Sequence, residues 1–294
     1  MITEGGRQRV PEGLLARYAS LADPVTSGGT SYPVAVGAAH TPVTDLLRIS
    51  DTPAPLDHQL LAAGADHLAR VQATQTVFDG TTLVLDRIED NTLIATPSTY
   101  FAMLATCDAL REEWVRRGTG PLRDRADSAA GGDPLHRGTG RAAAIGVSVV
   151  VTVTAGSTHV LLGRRRSDLA TDPGKWHVVP SGMLEPTTSG DPLIATVRHE
   201  LTEELGVEVS AQFLTQHLRT LGFAFDLLRL RPEICLALDL GDATDLQIRS
   251  NEYDACRKAP AGAALAALAL TPETITPAGA GALALHHAAY RGGQ

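Results

Sequence analysis

The chain has 294 residues, 44% hydrophobic and 20% charged, with a formal net charge of -8. That length holds one large domain or two ordinary ones. No apolar run approaches the roughly 18–20 residues that span a bilayer, and the negative charge disfavours a nucleic-acid polymer, whose phosphates are held by clustered Lys and Arg. A small anion that brings its own metal ion stays compatible with that charge. Cys107, Cys235 and Cys256 are isolated thiols without the spacing of a disulfide framework or a structural zinc site. The opening stretch "MITEGGRQRVPEGLL" lacks the charged-then-apolar layout of a secretory signal, so a cytoplasmic protein is expected.

Residues 1–55 are rich in Gly, Pro, Ser and Thr and read as mostly irregular, with a short strand at "YPVAVGA". From Asp57 to Ala73 the apolar residues recur at three and four, the pattern of an amphipathic helix. "TVFDGTTLVLDRIEDNTLIATPSTY" alternates apolar and polar residues and predicts a β-hairpin or meander. "YFAMLATCDALREEWVRRG" returns to helical period and stops at Gly118 after two arginines, which suit a helix C-terminus. Gly118–Ala142 is polar and Gly-rich and reads as a linker.

Beyond it, "AAIGVSVVVTVTAG" and "THVLLGRRRS" predict two strands around a turn at Ala155-Gly156-Ser157. "GKWHVVPSGMLEP" is a strand entering a Gly/Pro loop. Asp191-Pro192 supplies an N-cap and a first-turn proline for a helix that runs to Leu205 and ends at Gly206. "ICLALDL" is a buried strand, and Thr271-Pro272 and Thr276-Pro277 read as two further helix starts, the second opening an Ala-rich helix that ends near Tyr290. This order predicts a mixed-sheet α/β/α sandwich over 141–294, preceded by a smaller α+β domain over 1–140.

The helix around "RHELTEELGV" places Glu200, Glu203 and Glu204 at i, i+3 and i+4, with Ile194, Val197, Leu201 and Leu205 on the adjacent side. The Glu200–Glu204 repulsion costs a few tenths of a kcal/mol, and acids near a helix C-terminus oppose its dipole. A hard divalent cation such as Mg²⁺, which takes oxygen ligands and is shared between carboxylates and phosphates, removes both penalties. A solvated charged face is the plainer reading of the same spacing.

Gly182 together with Glu200, Leu201, Glu203, Glu204, Gly206 and Val207 resembles the signature G-x5-E-x7-R-E-U-x-E-E-x-G-U of the Nudix hydrolases, where U is aliphatic. Three departures stand out. Thr187, Thr188 and Ser189 read as an insertion, Asp191 stands in place of the first Glu, and His199 stands in place of Arg. The resemblance implies the Nudix sandwich and Mg²⁺ (or Mn²⁺) held by Glu200, Glu203 and Glu204. It implies hydrolysis of a nucleoside diphosphate linked to a second group X. One of these glutamates, or an acid on a later loop such as Glu252, serves as general base. Of Arg164, Arg165 and Arg166, strand alternation sends one into the site to hold phosphate; Arg165 is the first choice and Arg164 the second. Trp176 is either a base-stacking residue or a core aromatic.

In the first half, "STYFAMLATCDAL" and "DPLHRGTGRAAAIGVSVVV" are similar to the corresponding parts of the mammalian member of the family that hydrolyses UDP-glucose and UDP-galactose. That likeness implies a nucleotide-sugar substrate and a role for residues 1–140 in substrate selection or oligomerisation. Phe78, Tyr100 or Phe101 then stacks on the base, or else packs in the core. ADP-ribose, a dinucleotide, coenzyme A, an isoprenoid diphosphate, or a non-catalytic nucleotide-binding role are the alternatives. A homodimer is expected from the frequency of two-fold oligomers.

Overall fold

The computed structural model describes residues 12–118, 120–154, 156–169, 171–242 and 246–292. Most of the stretch read for a secretory signal, and Ala155 of the expected turn, lie outside them. Helix α1 (Glu12–Tyr18) leads into a hairpin of β1 (Asp23–Ser27) and β2 (Thr30–Ala38). Gly28 and Gly29, at φ 57° and 76°, make its turn, the positive dihedrals that let a two-residue loop follow the strand twist. The first 55 residues are therefore more regular than composition suggested. β3 (Leu47–Ile49) follows, then α2 (His58–Thr74), whose N-cap Asp57 accepts hydrogen bonds from the Gln59 and Leu60 N–H groups. β4 (Thr81–Glu89) and β5 (Thr92–Thr99) form the expected hairpin and, with β3, a three-stranded sheet. α3 (Tyr100–Met103), a π-helical turn (Leu104–Asp108) and α4 (Ala109–Arg117) run on to Gly118, at φ 79°.

The segment read as a linker is packed instead. It contains α5 (Pro121–Ala129), and Arg123 and Arg141 are only 1% and 0% exposed. Arg123 donates to the Tyr18 hydroxyl and to the carbonyls of Leu227 and Leu228. Arg141 donates to the carbonyls of Leu230, Pro134 and Arg137. Carbonyls in a buried turn need donors, and these two side chains reach in to supply them. Sequence composition registers only their polarity.

The second half supplies β6 (Gly146–Thr154), β7 (Thr158–Arg165), β8 (Trp176–Val178), β9 (Ser181–Met183), α6 (Pro192–Leu205), α7 (Ala211–His217), β10 (Arg219–Asp226), β11 (Arg231–Asp239), β12 (Tyr253–Pro260), α8 (Ala264–Ala267) and α9 (Pro277–Gly292). The large sheet runs β1-β2-β10-β11-β6-β7-β12, with β8 on β7 and β9 on β6. β11 and β6 pair in parallel while the other neighbours are antiparallel, so the sheet is mixed. One face packs Val147, Val149 and Val151 against Leu193, Val197 and Leu201 of α6. The other packs Val150, Val160 and Leu162 against Ala280 and Leu283 of α9. Helices thus cover both faces, and the α/β/α sandwich is present. The first 140 residues join it directly. β2 pairs with β10, and β4 bonds through Leu83 and Leu85 to the backbone of Leu184, Ile145 and Ala143.

Asp191 caps α6 by accepting from the Leu193 and Ile194 N–H groups, Pro192 opens it, and Gly206, at φ 65°, closes it in the left-handed region. Thr276-Pro277 opens α9 as expected, the Thr276 hydroxyl accepting from Gly279 N–H. Thr271-Pro272 opens only a turn, in which the Thr274 and Ile275 N–H groups return to the Thr271 carbonyl. Because Leu201 is fully buried between α6 and the sheet, Leu201→Ala is expected to cost about 2–5 kcal/mol in denaturant unfolding. Asp191→Ala is expected to cost only about 1 kcal/mol, the worth of an N-cap; a loss as large as that at Leu201 would show that Asp191 does more than cap the helix.

Candidate active site

A cavity of about 650 Å³ opens beside α6, where β6 begins and β9 ends. The helical spacing brings Glu200, Glu203 and Glu204 to it at three depths. Glu204 is 2% exposed; its Oε2 accepts from Ser181 N–H at 3.0 Å, and the Tyr253 hydroxyl also bonds to it. Glu200 is half-buried and lies across Gly182, where an added Cβ would meet its Oε1 at 2.1 Å. The leading glycine of the motif is thus the space the carboxylate occupies. Glu203 stands at the rim, 57% exposed, with its Oε2 3.0 Å from His199 Nε2.

Burial first, and then the neighbouring Glu203, Glu252 and Glu185, push the Glu200 carboxyl up to about 8. Burial and Glu200 push Glu204 well above the usual carboxylate range, against the Ser181 and Tyr253 hydrogen bonds. Such oxygens lack a counter-charge, and an all-oxygen donor set is what a hard divalent cation takes. Among the described residues no three His, Cys, Asp or Glu side chains converge as a ready ligand set. The fit therefore rests on Glu200 and Glu204, with Glu203 at the edge.

Arg165 lines the cavity, its Nε donating to the Thr171 carbonyl and its Nη1 lying 3.6 Å from Glu252, which is half-exposed at the rim. Alternation along β7 sends Arg164 the other way, to an exposed pair with Asp254 at 2.7 Å. Trp176 is not on the cavity wall; it is buried in the α9-side core beneath the Arg257 guanidinium, 4.6 Å from its ring. Tyr100 and Gly182 line the cavity. Phe101 packs against the core, and Phe78, 80% exposed, stands outside the wall in the segment before β4. Asp191 is occupied as the cap of α6.

Sequence reading missed two groups. The first is Arg229, whose Nε meets Asp108 at 2.7 Å and whose Nη1 meets Asp226 at 2.8 Å and Asp172 at 3.1 Å. Burial disfavours the charge on Asp172, yet Arg229 and Lys175 hold its carboxyl well below the usual range. These partners come from three separate segments, the π-helical turn, the loop after β7 and the end of β10, and no local pattern announces them. The second is Glu233, at the start of β11. It is the acid that directly precedes the apolar run "ICLAL" of that strand, and that placement was a usable signal.

The family described as NUDIX domain matches residues 144–274. No curated protein matches the chain. Among solved structures, a MutT protein from Methanosarcina mazei Go1 is 22% identical, covering 51% of this chain and 95% of its own, at a TM-score of 0.38. A C. elegans Ap4A hydrolase is 17% identical over 51% and 99%, at 0.34. The M. smegmatis Nudix hydrolase RenU is 15% identical over 51% and 84%, at 0.32. Likenesses at this level carry no weight for substrate or mechanism. The segment that matches the NUDIX domain family, 144–274, is the one that holds Gly182, Glu200, Glu203, Glu204 and Glu252.

Proposed function

We propose that the protein is a divalent-cation-dependent hydrolase of the diphosphate linkage in a nucleoside diphosphate joined to a second group. The observation that carries this reading is a buried carboxylate, Glu204, beside a half-buried one, Glu200, with no basic partner for either among the described residues, in the same cavity as Arg165. When bound, Mg²⁺ or Mn²⁺ supplies charge neutralisation at the diphosphate and a more acidic water. Glu200 and Glu204 would hold it, with Glu203 completing the set from the rim. Arg165 has its Nε committed to Thr171, which fixes the guanidinium and turns its Nη groups, one of them 3.6 Å from Glu252, toward the space a phosphate would take. Arg229 does not serve this purpose, because three aspartates already surround it. Glu252, at the rim of the same cavity, would take the proton of the attacking water.

A nucleotide-sugar such as UDP-glucose is the first substrate to try. The likeness of the N-terminal segments supports it, and Tyr100 carries that half of the chain onto the cavity wall. Residues 1–140 on this reading select the substrate and 141–294 perform the chemistry, in a cytoplasmic homodimer. Among the described residues no helix is long and apolar enough to cross a membrane. A non-catalytic nucleotide-binding role is favoured by one observation: His199, in place of the motif's Arg, is spent on an exposed contact with Glu203.

Glu200→Gln and Glu204→Gln are each expected to lower cation-dependent turnover at least about a hundredfold. Arg165→Ala is expected to act mainly on KM. Unchanged turnover in both carboxylate variants would remove the assignment, and calorimetric binding without turnover in the wild type would favour the non-catalytic role. A stability measurement is independent of substrate. Glu200, at about 8 in the folded chain against 4.5 ordinarily, prefers to be neutral when folded. Its contribution is therefore full below about pH 4.5 and lost as pH climbs through about 8. Mg²⁺ counters that loss, so it is expected to raise Tm more at pH 8 than at pH 5; equal shifts at both would argue against binding at these carboxylates.

A further inference from the structure

Glu233 belongs to the same cavity and is not used by the chemistry above. Its carboxyl lies across Gly146, where an added Cβ would meet Oε2 at 1.8 Å. This repeats the relation of Glu200 to Gly182. The two glycines sit on paired strands, in a register that sets Gly146 opposite Met183 and Val147 opposite Gly182. Facing residues of an antiparallel pair share a face and successive residues alternate. Gly146 and Gly182 therefore turn to opposite faces of the β6–β9 ribbon, and so do the carboxyls over them. The cavity reaches both, so it wraps the end of that ribbon from the α6 side to the α9 side.

On the α9 side Glu233 is held by an ordered chain of hydrogen bonds. Gly279 N–H donates to the Thr276 hydroxyl at 3.0 Å. Thr276 Oγ1 is 2.5 Å from His177 Nδ1, and His177 Nε2 is 3.5 Å from Ser148 Oγ. Ser148 Oγ donates to Glu233 Oε1 at 2.5 Å. Burial, followed by Arg165, pushes the His177 imidazole down to about 3, so the ring is neutral and carries one proton. With the first bond and the last fixed in direction, a single arrangement satisfies each member: Thr276 gives to Nδ1, Nε2–H gives to Ser148, and Ser148 gives to Glu233. Every donor points toward the carboxyl. Its other oxygen, Oε2, lies over Gly146 and has no hydrogen-bond or ion-pair partner among the described residues; both residues line the cavity.

We propose that Glu233 determines which substrates this cavity accepts: Oε2 receives a hydrogen bond from an uncharged N–H or O–H donor on the part of the ligand farthest from the cation-binding carboxylates. The assignment rests on the hydrolase reading for the position of the diphosphate. A carboxyl fixed through one oxygen and open at the other is preorganised for recognition. It is ill suited to phosphate, which it would repel. Burial, against the pull of Ser148 and Arg231, raises this carboxyl to about 7, and a donor bound at Oε2 favours its charged form. Because the two carboxyls stand on opposite faces of one ribbon, the ligand must be longer than a diphosphate and bent around the strand ends. A nucleobase edge and a sugar hydroxyl both offer the required donor.

The test measures affinity by calorimetry on the full chain with Mg²⁺ and α,β-methylene diphosphate conjugates, which do not hydrolyse. One arm compares guanosine with inosine conjugates, which differ by the 2-amino donor. The other compares glucose conjugates with analogues in which each hydroxyl in turn is replaced by hydrogen. Removal of the recognised donor is expected to weaken wild-type binding at least about tenfold. In Glu233→Gln, where Ser148 holds the amide oxygen and the NH₂ faces the cavity, that gap is expected to close to within about twofold. Gly146→Ala, which displaces Oε2, is expected to narrow it as well. The arm showing the gap names the source of the donor. Equal weakening of all ligands in Glu233→Gln, a gap that persists in it, the absence of any gap in the wild type, or no binding at all would each overturn the proposal. Parallel turnover of the hydrolysable conjugates separates the two readings: discrimination by Glu233 without turnover sinks the hydrolase alone, and turnover with no role for Glu233 sinks only this inference.

Discussion

Two carboxylates held out of water with no cation of the chain's own beside them are the constraint from which the site follows. Glu204 is almost wholly buried and Glu200 is pressed over Gly182. Neither can relax into solvent without moving α6, and α6 is fixed by Leu193, Ile194, Val197, Leu201 and Leu205 on its other side. Each such side chain contributes about 1.5–3 kcal/mol on burial, whereas a like-charge i, i+4 pair costs a few tenths of a kcal/mol in a solvated helix. The apolar side wins, so the helix forms with its acids misplaced. Their charge must then be cancelled by a proton or by a cation that arrives from outside. The elevated proton affinity of Glu200 and Glu204 follows from their burial and from the acids beside them.

The opposite solution appears a short way along the same cavity. Arg229 is a buried cation that the chain supplies itself, ringed by Asp108, Asp172 and Asp226. Removing one partner of such a buried group is far more damaging than its net worth suggests, because it strands the remaining charges. The cluster ties the π-helical turn before α4 to the loop after β7 and to the β10–β11 turn. Arg123 and Arg141 hold that last turn from behind through its carbonyls. Through these contacts the first half of the chain helps fix the loop that carries Thr171, and so the orientation of Arg165.

What the sequence disclosed follows the range of the interactions. α6 was legible to the residue, because Asp191, Pro192 and Gly206 act on their own helix and the apolar spacing is local. The β4–β5 hairpin was legible for the same reason, its Asp90-Asn91 turn taking positive φ where Asn and Asp tolerate it. Thr271-Pro272 misled because a capping pattern needs a helix to cap, and here the chain turns back after one hydrogen-bonded turn. The choice of Arg165 over Arg164 follows from strand alternation, yet nothing local shows that Thr171 would anchor it. For Trp176 and Phe78 the sequence left the role open because a single aromatic carries no record of its surroundings: Trp176 took the core alternative on the α9 side, and Phe78 faces solvent. The polar stretch before β6 hid two buried arginines, Arg123 and Arg141, each of which reaches carbonyls of the distant β10–β11 turn.

The motif glycine and its unannounced twin show how far a local signature can be extended by geometry. Gly182 is required because a carboxylate lies where its Cβ would be, and the same test applied to Gly146 finds Glu233. One carboxyl has its counter-charge missing and open space in front of it, which suits a cation. The other is bound from behind by a proton-ordered chain ending at the first turn of α9, which suits a neutral donor. Two acids of the same type thus acquire different chemistry from what stands behind them. On the proposed reading, their placement on opposite faces of one ribbon would convert that difference into a direction along the cavity, with the diphosphate on the α6 side and the uncharged group on the α9 side.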